Sequence, residues 1–251
     1  MALPLFGRIY RGYPIAVIVF LSTGLSVGMA QYAFGEFSGP LREEFGWPQT
    51  QLNMSLAFSF ISGVLAPFIG AITDRVGIRP VMFVSLLLIA LGFALRPLIS
   101  ELWHWYLFSA LVYAGFPGAT LLPAGKVVGV WFPKTRGRVM GTVVAGNNFG
   151  GMTMPPLAAG IIATMSWEAA YATFAVIMVV LAVVALVVVA ESDESVRSEM
   201  ERTGRGDLVK ISQAAAHTGI TVRQALRNRN FWLIMIGLVA ATFTYQGVLT
   251  Q

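Results

Sequence analysis

Long uncharged stretches recur along this chain between short polar clusters, and their lengths decide which solvent they suit. Gly12 to Gly35, Phe45 to Thr73, Pro80 to Leu95, Leu102 to Gly125, Val139 to Trp167 and Ala169 to Ala190 are each predominantly apolar. A seventh runs from Asn230 to Gln251. A helix needs about 20 mostly apolar residues to cross the hydrocarbon core of a bilayer. The pattern therefore predicts six complete membrane helices and an incomplete seventh. The second and fifth stretches are longer than a span requires, which places helix ends inside them, near Gln51 and Met165. The expected fold is all-α and membrane-embedded: a six-helix bundle over 1–190, a polar connector over 191–229, and a terminal helix over 230–251.

Charge placement orients these spans. With the N-terminus inside, Arg8, Arg11, Arg75, Arg79, Lys134, Arg136, Arg138 and the seven bases of the connector are cytoplasmic, 14 of the 17 Lys and Arg. That bias follows the positive-inside rule. The six tryptophans, at 47, 103, 105, 131, 167 and 232, fall at or near predicted span ends, where amphipathic rings favour the headgroup region. The first stretch is too long for the core of a cleaved signal, which runs about 7 to 15 residues. The connector mixes six acids with seven bases and reads as a solvated link between bundles, with a lipid-surface segment as the other reading. Thr221 to Gln224 fits a capping box opening a short helix.

Composition changes the picture only by exclusion. Of 251 residues 56% are hydrophobic and 12% charged, about half the charge of a soluble domain. Mean hydropathy is +0.72. Cysteine is absent, so disulfides and thiolate chemistry are excluded. The net charge of +5 is accounted for by topology, and no nucleic-acid partner is expected. The only histidines, His104 and His217, fall on opposite sides of the predicted bilayer, so they cannot share a metal or a triad. No metal, cofactor or phosphate-binding Gly-rich loop is expected, and enzymatic activity is not.

The strongest local motif is Gly70-Ala-Ile-Thr-Asp74-Arg75-Val-Gly77-Ile-Arg79, in the turn between helices 2 and 3. Gly70 permits close approach of a neighbouring helix. Asp74 opposes the helix macrodipole at a C-terminus and needs a basic partner, with Arg75 and Arg79 in reach. Gly77 suits a positive-φ turn. This segment resembles the signature loop of the major facilitator superfamily, in the loop where that family carries it. A second segment, Trp131-Phe-Pro-Lys134-Thr-Arg136-Gly137 followed by Gly141, Ala145 and Gly146, looks like the start of helix 5 in monocarboxylate-porter-like transporters, with oxalate/formate antiporters similar there. The acidic-aromatic signature of animal monocarboxylate carriers is not evident around Gly24 to Tyr32.

The resemblance covers about residues 12 to 251. It implies the N-terminal half plus helix 7 of a two-bundle transporter built from inverted repeats, with its site between the halves at the midplane. It also implies that Asp74 and Arg75 latch onto the missing C-terminal half at the cytoplasmic face, and that the substrate is a small organic anion such as a monocarboxylate. A bacterial inner membrane, with the N-terminus in the cytoplasm, is the expected location. A transporter-like sensor or scaffold, or a nonfunctional truncated half-transporter, are the other readings.

Residues for a substrate cavity are sought among polar groups at membrane depth, since lipid burial of such groups costs free energy. These are Asn147 and Asn148 in helix 5, Tyr113 in helix 4, Gln31 and Tyr32 toward the outer end of helix 1, and Lys126 in helix 4, for which snorkelling to the inner interface competes with an anion-attracting role. Arg96 is expected to snorkel outward. Gly137, Gly141, Gly146 and Gly150 form two G-x-x-x-G pairs that permit helix contact, and Pro155 and Pro156 are expected to kink helix 5 unless a neighbour satisfies the freed carbonyls. All 12 acids lie in loops or span ends, so any proton-coupling carboxylate is expected in the other half.

Overall fold

The computed structural model describes residues 10–189, together with 198, 201–202, 227–233, 235–237 and 240. The chain divides into two compact units, Met1–Ser212 and Gln213–Gln251. In the second, residues 229–233 are helical, with the Asn230 amide donating to Asn228 Oδ1 at 2.9 Å. The capping box at Thr221 to Gln224 and the remainder of the seventh span lie outside the described residues.

In the first unit, residues 10–189 form six helical rods that follow one another with short turns. Span 1 comprises α1 (Gly12–Val27), a π-helical turn (Gly28–Tyr32) and α2 (Phe34–Phe45). Span 2 is α3 (Gln49–Ala57) and α4 (Ser59–Val76). Span 3 is α5 (Ile78–Leu95) with a 3₁₀ turn (Arg96–Leu98), and span 4 is α6 (Leu102–Ala119) and α7 (Leu121–Trp131). Span 5 is α8 (Arg136–Val144) and α9 (Gly146–Thr164), and span 6 is α10 (Trp167–Val188). No strand occurs among the described residues. Among the described residues five rods are long and apolar enough to cross a membrane: Gly12–Phe45, Gln49–Val76, Ile78–Leu98, Leu102–Trp131 and Trp167–Val188. The fifth rod, 136–164, matches them in length, but its asparagines, glycines and arginines dilute its apolarity.

Span 3 is the hub, packed on span 4 and span 6, while span 2 leans on span 4 and span 1 on span 5. The core is aromatic toward one end, where Phe37, Phe93, Tyr171 and Phe174 are fully buried and Phe37 stacks on Tyr171 at 3.8 Å. At that end Trp167 Nε1 donates to Glu44 Oε2 at 2.6 Å, and Trp105 Nε1 donates to the Leu52 carbonyl at 3.3 Å. At the other end the Tyr10 hydroxyl donates to the Trp131 carbonyl at 2.6 Å, tying the start of span 1 to the end of span 4. Among the described residues, Arg11, Arg75, Arg79, Lys126, Lys134, Arg136 and Arg138 all fall at this second, basic end.

Several boundaries differ from expectation. Span 1 continues to Phe45, because Phe34, Phe37 and Leu41 make a buried stripe at helical spacing while Glu36, Arg42, Glu43 and Glu44 face out. Gly46, at φ +69°, then ends the helix in the left-handed conformation that glycine tolerates. Helix α9 runs through Pro155 and Pro156 uninterrupted, and the break in span 5 falls earlier, at Ala145. Two adjacent prolines remove only the donors to the Gly151 and Met152 carbonyls, and the remaining rungs carry the helix past them. Arg96 does not reach outward: it is 3% exposed. Pro97 and the 3₁₀ turn redirect the chain there, and the guanidinium folds in over aromatic rings.

Candidate functional site

Spans 1 and 5 run parallel and touch backbone to backbone. A Cβ built on Gly150 would fall 1.9 Å from the Gly24 carbonyl oxygen, and one on Gly24 would fall 2.3 Å from the Gly146 oxygen. Gly146 meets the Phe20 oxygen at 2.5 Å and Gly28 meets the Gly150 oxygen at 2.7 Å. Side chains are excluded at all four positions, so Gly24-x-x-x-Gly28 and Gly146-x-x-x-Gly150 interlock. Phe20 and Phe149 pack beside the seam, centroids 5.5 Å apart, and the Tyr32 ring covers Gly151. The other pair, Gly137 and Gly141, and Gly70 of the turn motif, have open space where a Cβ would go.

The seam fixes the depth and facing of its polar neighbours. Asn147 is half-buried, with Oδ1 inside and no hydrogen-bond partner among the described residues, while Asn148 is exposed. On span 1, Gln31 is exposed and Tyr32 half-buried, both within the π turn, where the Ala33 amide reaches back five residues to the Gly28 carbonyl at 2.8 Å. Such wide turns inside α-helices recur at functional positions. The outward faces of the rods differ in chemistry. Span 6 presents Val176, Val179, Val180, Val183, Val184 and Val187, a surface suited to lipid. Spans 1 and 5 present Gln31, Glu36, Thr142 and Asn148 among glycines, which suits water or a polar solute.

Of the six expected cavity residues, the span 1–span 5 seam brings four into one region: Gln31, Tyr32, Asn147 and Asn148. Tyr113 stands apart inside the bundle, 2% exposed beside Phe116. Lys126 lies at the basic end, where its Nζ approaches Asp74 Oδ1 at 3.3 Å and donates to the Thr73 carbonyl at 2.9 Å. It thus caps the end of α4, where a cation favours the helix C-terminus. Asp74 therefore pairs with Lys126 of span 4, and Arg79 Nε donates to the Leu186 carbonyl of span 6. Gly77 turns the chain at φ +96° between them. Arg136 donates to the Gly129 carbonyl at 3.3 Å, holding the turn between spans 4 and 5. Two features went unread in the sequence. Gly24 and Gly28 carried the same small-residue spacing as span 5, whereas the burial of Arg96 left no local signal.

Apolar rods of membrane length with one polar face and a charged turn at one end define an integral membrane protein. Residues 12–251 match the profile of the Major Facilitator Superfamily, and the chain belongs to that family. It is 28% identical over 186 residues to the class C tetracycline resistance protein of Escherichia coli, covering 73% of this chain and 45% of that protein. It is 26% identical to the riboflavin transporter RibJ of Trypanosoma brucei brucei, over 86% of this chain and 43% of the relative. It is 29% identical to monocarboxylate transporter 11 of Homo sapiens, over 63% of this chain and 34% of that protein. The chain spans about half the length of the first of these relatives.

Proposed function

We propose that this chain supplies the N-terminal half of a secondary transporter that moves a small organic anion, such as a monocarboxylate, by alternating access as a symporter or antiporter. The observation that carries this reading is the polar face beside the glycine seam, where Gln31 and Asn148 stand exposed on two backbones held in register. Neutral amides donate hydrogen bonds to a carboxylate without fixing it as tightly as a full charge does, and a carrier must release what it binds. A second six-helix bundle closes the cavity from the other side.

The bundle sits in a bacterial inner membrane with its basic end in the cytoplasm, in keeping with the positive-inside rule. Asp74, Arg75 and Arg79 form the gating turn there. Asp74 is shared between Lys126 and the second half, so that Lys126 keeps the acid compensated whenever the latch opens. The test is uptake of labelled monocarboxylates by the intact transporter in proteoliposomes, beside Gln31→Ala and Asn148→Ala. Saturable uptake weakened by both changes supports the proposal. Ligand binding without flux would identify a sensor instead, and flux restricted to cations or neutral solutes would overturn the substrate class.

A further inference from the structure

At the end opposite the basic one, a cation is walled into the bundle. Arg96 is 3% exposed, and its Cζ lies 4.3 Å from the centre of the Trp105 ring, 4.6 Å from Tyr171 and 5.4 Å from Phe93. One terminal nitrogen donates to Ser109 Oγ at 3.2 Å, and the Ser109 hydroxyl in turn donates to the Trp105 carbonyl at 2.7 Å. Among the described residues no carboxylate pairs with the guanidinium, and its Nε–H has no acceptor. Among the described residues the hydroxyls of Tyr113 and Tyr171, 2% and 0% exposed, have no acceptor for their protons; the Arg96 guanidinium lies beside Tyr171, and its charge reaches Tyr113 as well.

These groups share a single deficiency. Aromatic faces stabilise a cation through the ring quadrupole, from above and below its plane. They leave the in-plane N–H groups unsatisfied, and an unmade hydrogen bond in a buried site costs more than a made one contributes. The neighbouring phenols each carry a proton to donate. A net positive charge, an unpaired N–H and two unpaired O–H groups, supplied by spans 3, 4 and 6, together call for an acceptor that brings negative charge. A water molecule accepts the hydrogen bonds but leaves the charge uncompensated. A small monovalent anion does both, and sheds its hydration more readily than a divalent one.

We propose that Arg96, Tyr113 and Tyr171 form a buried site for a small inorganic monovalent anion, with chloride as the physiological occupant, that ties spans 3, 4 and 6 together. This site is made within one bundle and is separate from the polar face of spans 1 and 5.

The experiment compares thermal unfolding of the purified chain in sodium chloride and in sodium gluconate at matched ionic strength. Gluconate is a far larger anion than chloride. Chloride is expected to raise Tm by about 2–4 °C, saturably, at a few times its Kd. Arg96→Gln abolishes that increment. Tyr171→Phe, which keeps the ring against Phe37 and Arg96, moves the chloride midpoint several-fold higher, and carries the test if Arg96→Gln does not fold. Crystals grown in bromide provide the position, with an anomalous peak beside the guanidinium expected. A Tm indifferent to the choice of salt, an increment unchanged in both variants, or no bromide peak at Arg96 overturns the proposal.

Discussion

Lys126 and Asp74 join the ends of spans 4 and 2, with Nζ 3.3 Å from Oδ1 and a second bond from the same nitrogen to the Thr73 carbonyl. The acid is 77% exposed and the lysine 35%. Screening by solvent therefore keeps the ion pair itself within about 0.2–1 kcal/mol. The hydrogen bond to Thr73 adds to the lysine side of the account alone. A double-mutant cycle of Lys126→Gln with Asp74→Asn is expected to give a coupling of no more than about 1 kcal/mol, with Lys126→Gln the costlier single change. Equal single costs would show that the carbonyl contact contributes nothing.

The glycine seam should respond to a single methyl group. Gly150→Ala places a carbon 1.9 Å from a backbone oxygen that no side-chain rotation can move. Spans 1 and 5 must then separate or shift, at a cost of about 1–3 kcal/mol. Gly141→Ala meets no atom within 4 Å and serves as the control, expected to be neutral or slightly stabilising through helix propensity. Thermal unfolding of both variants reads the difference, and similar Tm values would contradict the parallel contact.

Exposed amides on the polar face are expected to separate function from stability. Gln31→Ala and Asn148→Ala truncate exposed side chains, so unfolding should change by no more than about 0.5 kcal/mol. Transport should fall mainly through a raised KM. A large loss of Tm in either variant would mean that the face is an internal surface of the bundle.

Two hydroxyls one residue apart on α1 should behave oppositely. Ser22 donates to the Ala119 carbonyl of span 4, whereas Thr23 Oγ1 is buried with no partner among the described residues. Ser22→Ala is expected to cost about 1 kcal/mol, and Thr23→Val to be neutral or stabilising. The comparison is made by chemical denaturation in one detergent, and a destabilising Thr23→Val would reveal an acceptor for that hydroxyl.

Sidedness is testable because the chain contains no cysteine. Single cysteines at Lys134 and at Glu43, both exposed and at opposite ends, should be labelled by impermeant maleimide from opposite faces of the membrane. Labelling of Lys134→Cys from outside intact cells would invert the proposed orientation.

Hydropathy made the six rods legible because a bilayer imposes a length that few other environments demand. It lost the continuation of span 1 at Gly35, where Phe37 and Leu41 are buried between charges that lower any average. The signature turn is readable as a family motif, yet its local spacing points to Arg75 and Arg79 as partners of Asp74, whereas the ion pair forms with Lys126. A partner 52 residues away in sequence depends on how spans 2 and 4 pack, which local spacing does not encode. Arg96 shows the same limit. A cation near a span end ordinarily snorkels, and only the three rings supplied by α5, α6 and α10 make the inward course favourable. The amides at 31, 147 and 148 could be singled out by polarity, but their shared location follows from the glycine seam.

The wide turn at Gly28–Tyr32 carries a consequence for alignment. By lodging one extra residue in a turn, it advances the phase of span 1 by about 100°, one helical step. Residues beyond Tyr32 therefore lie on a different meridian from the one that counting from Gly12 by 3.6 would assign. A relative with an uninterrupted first helix will match this chain letter for letter and still aim the residue aligned with Phe37 at another neighbour.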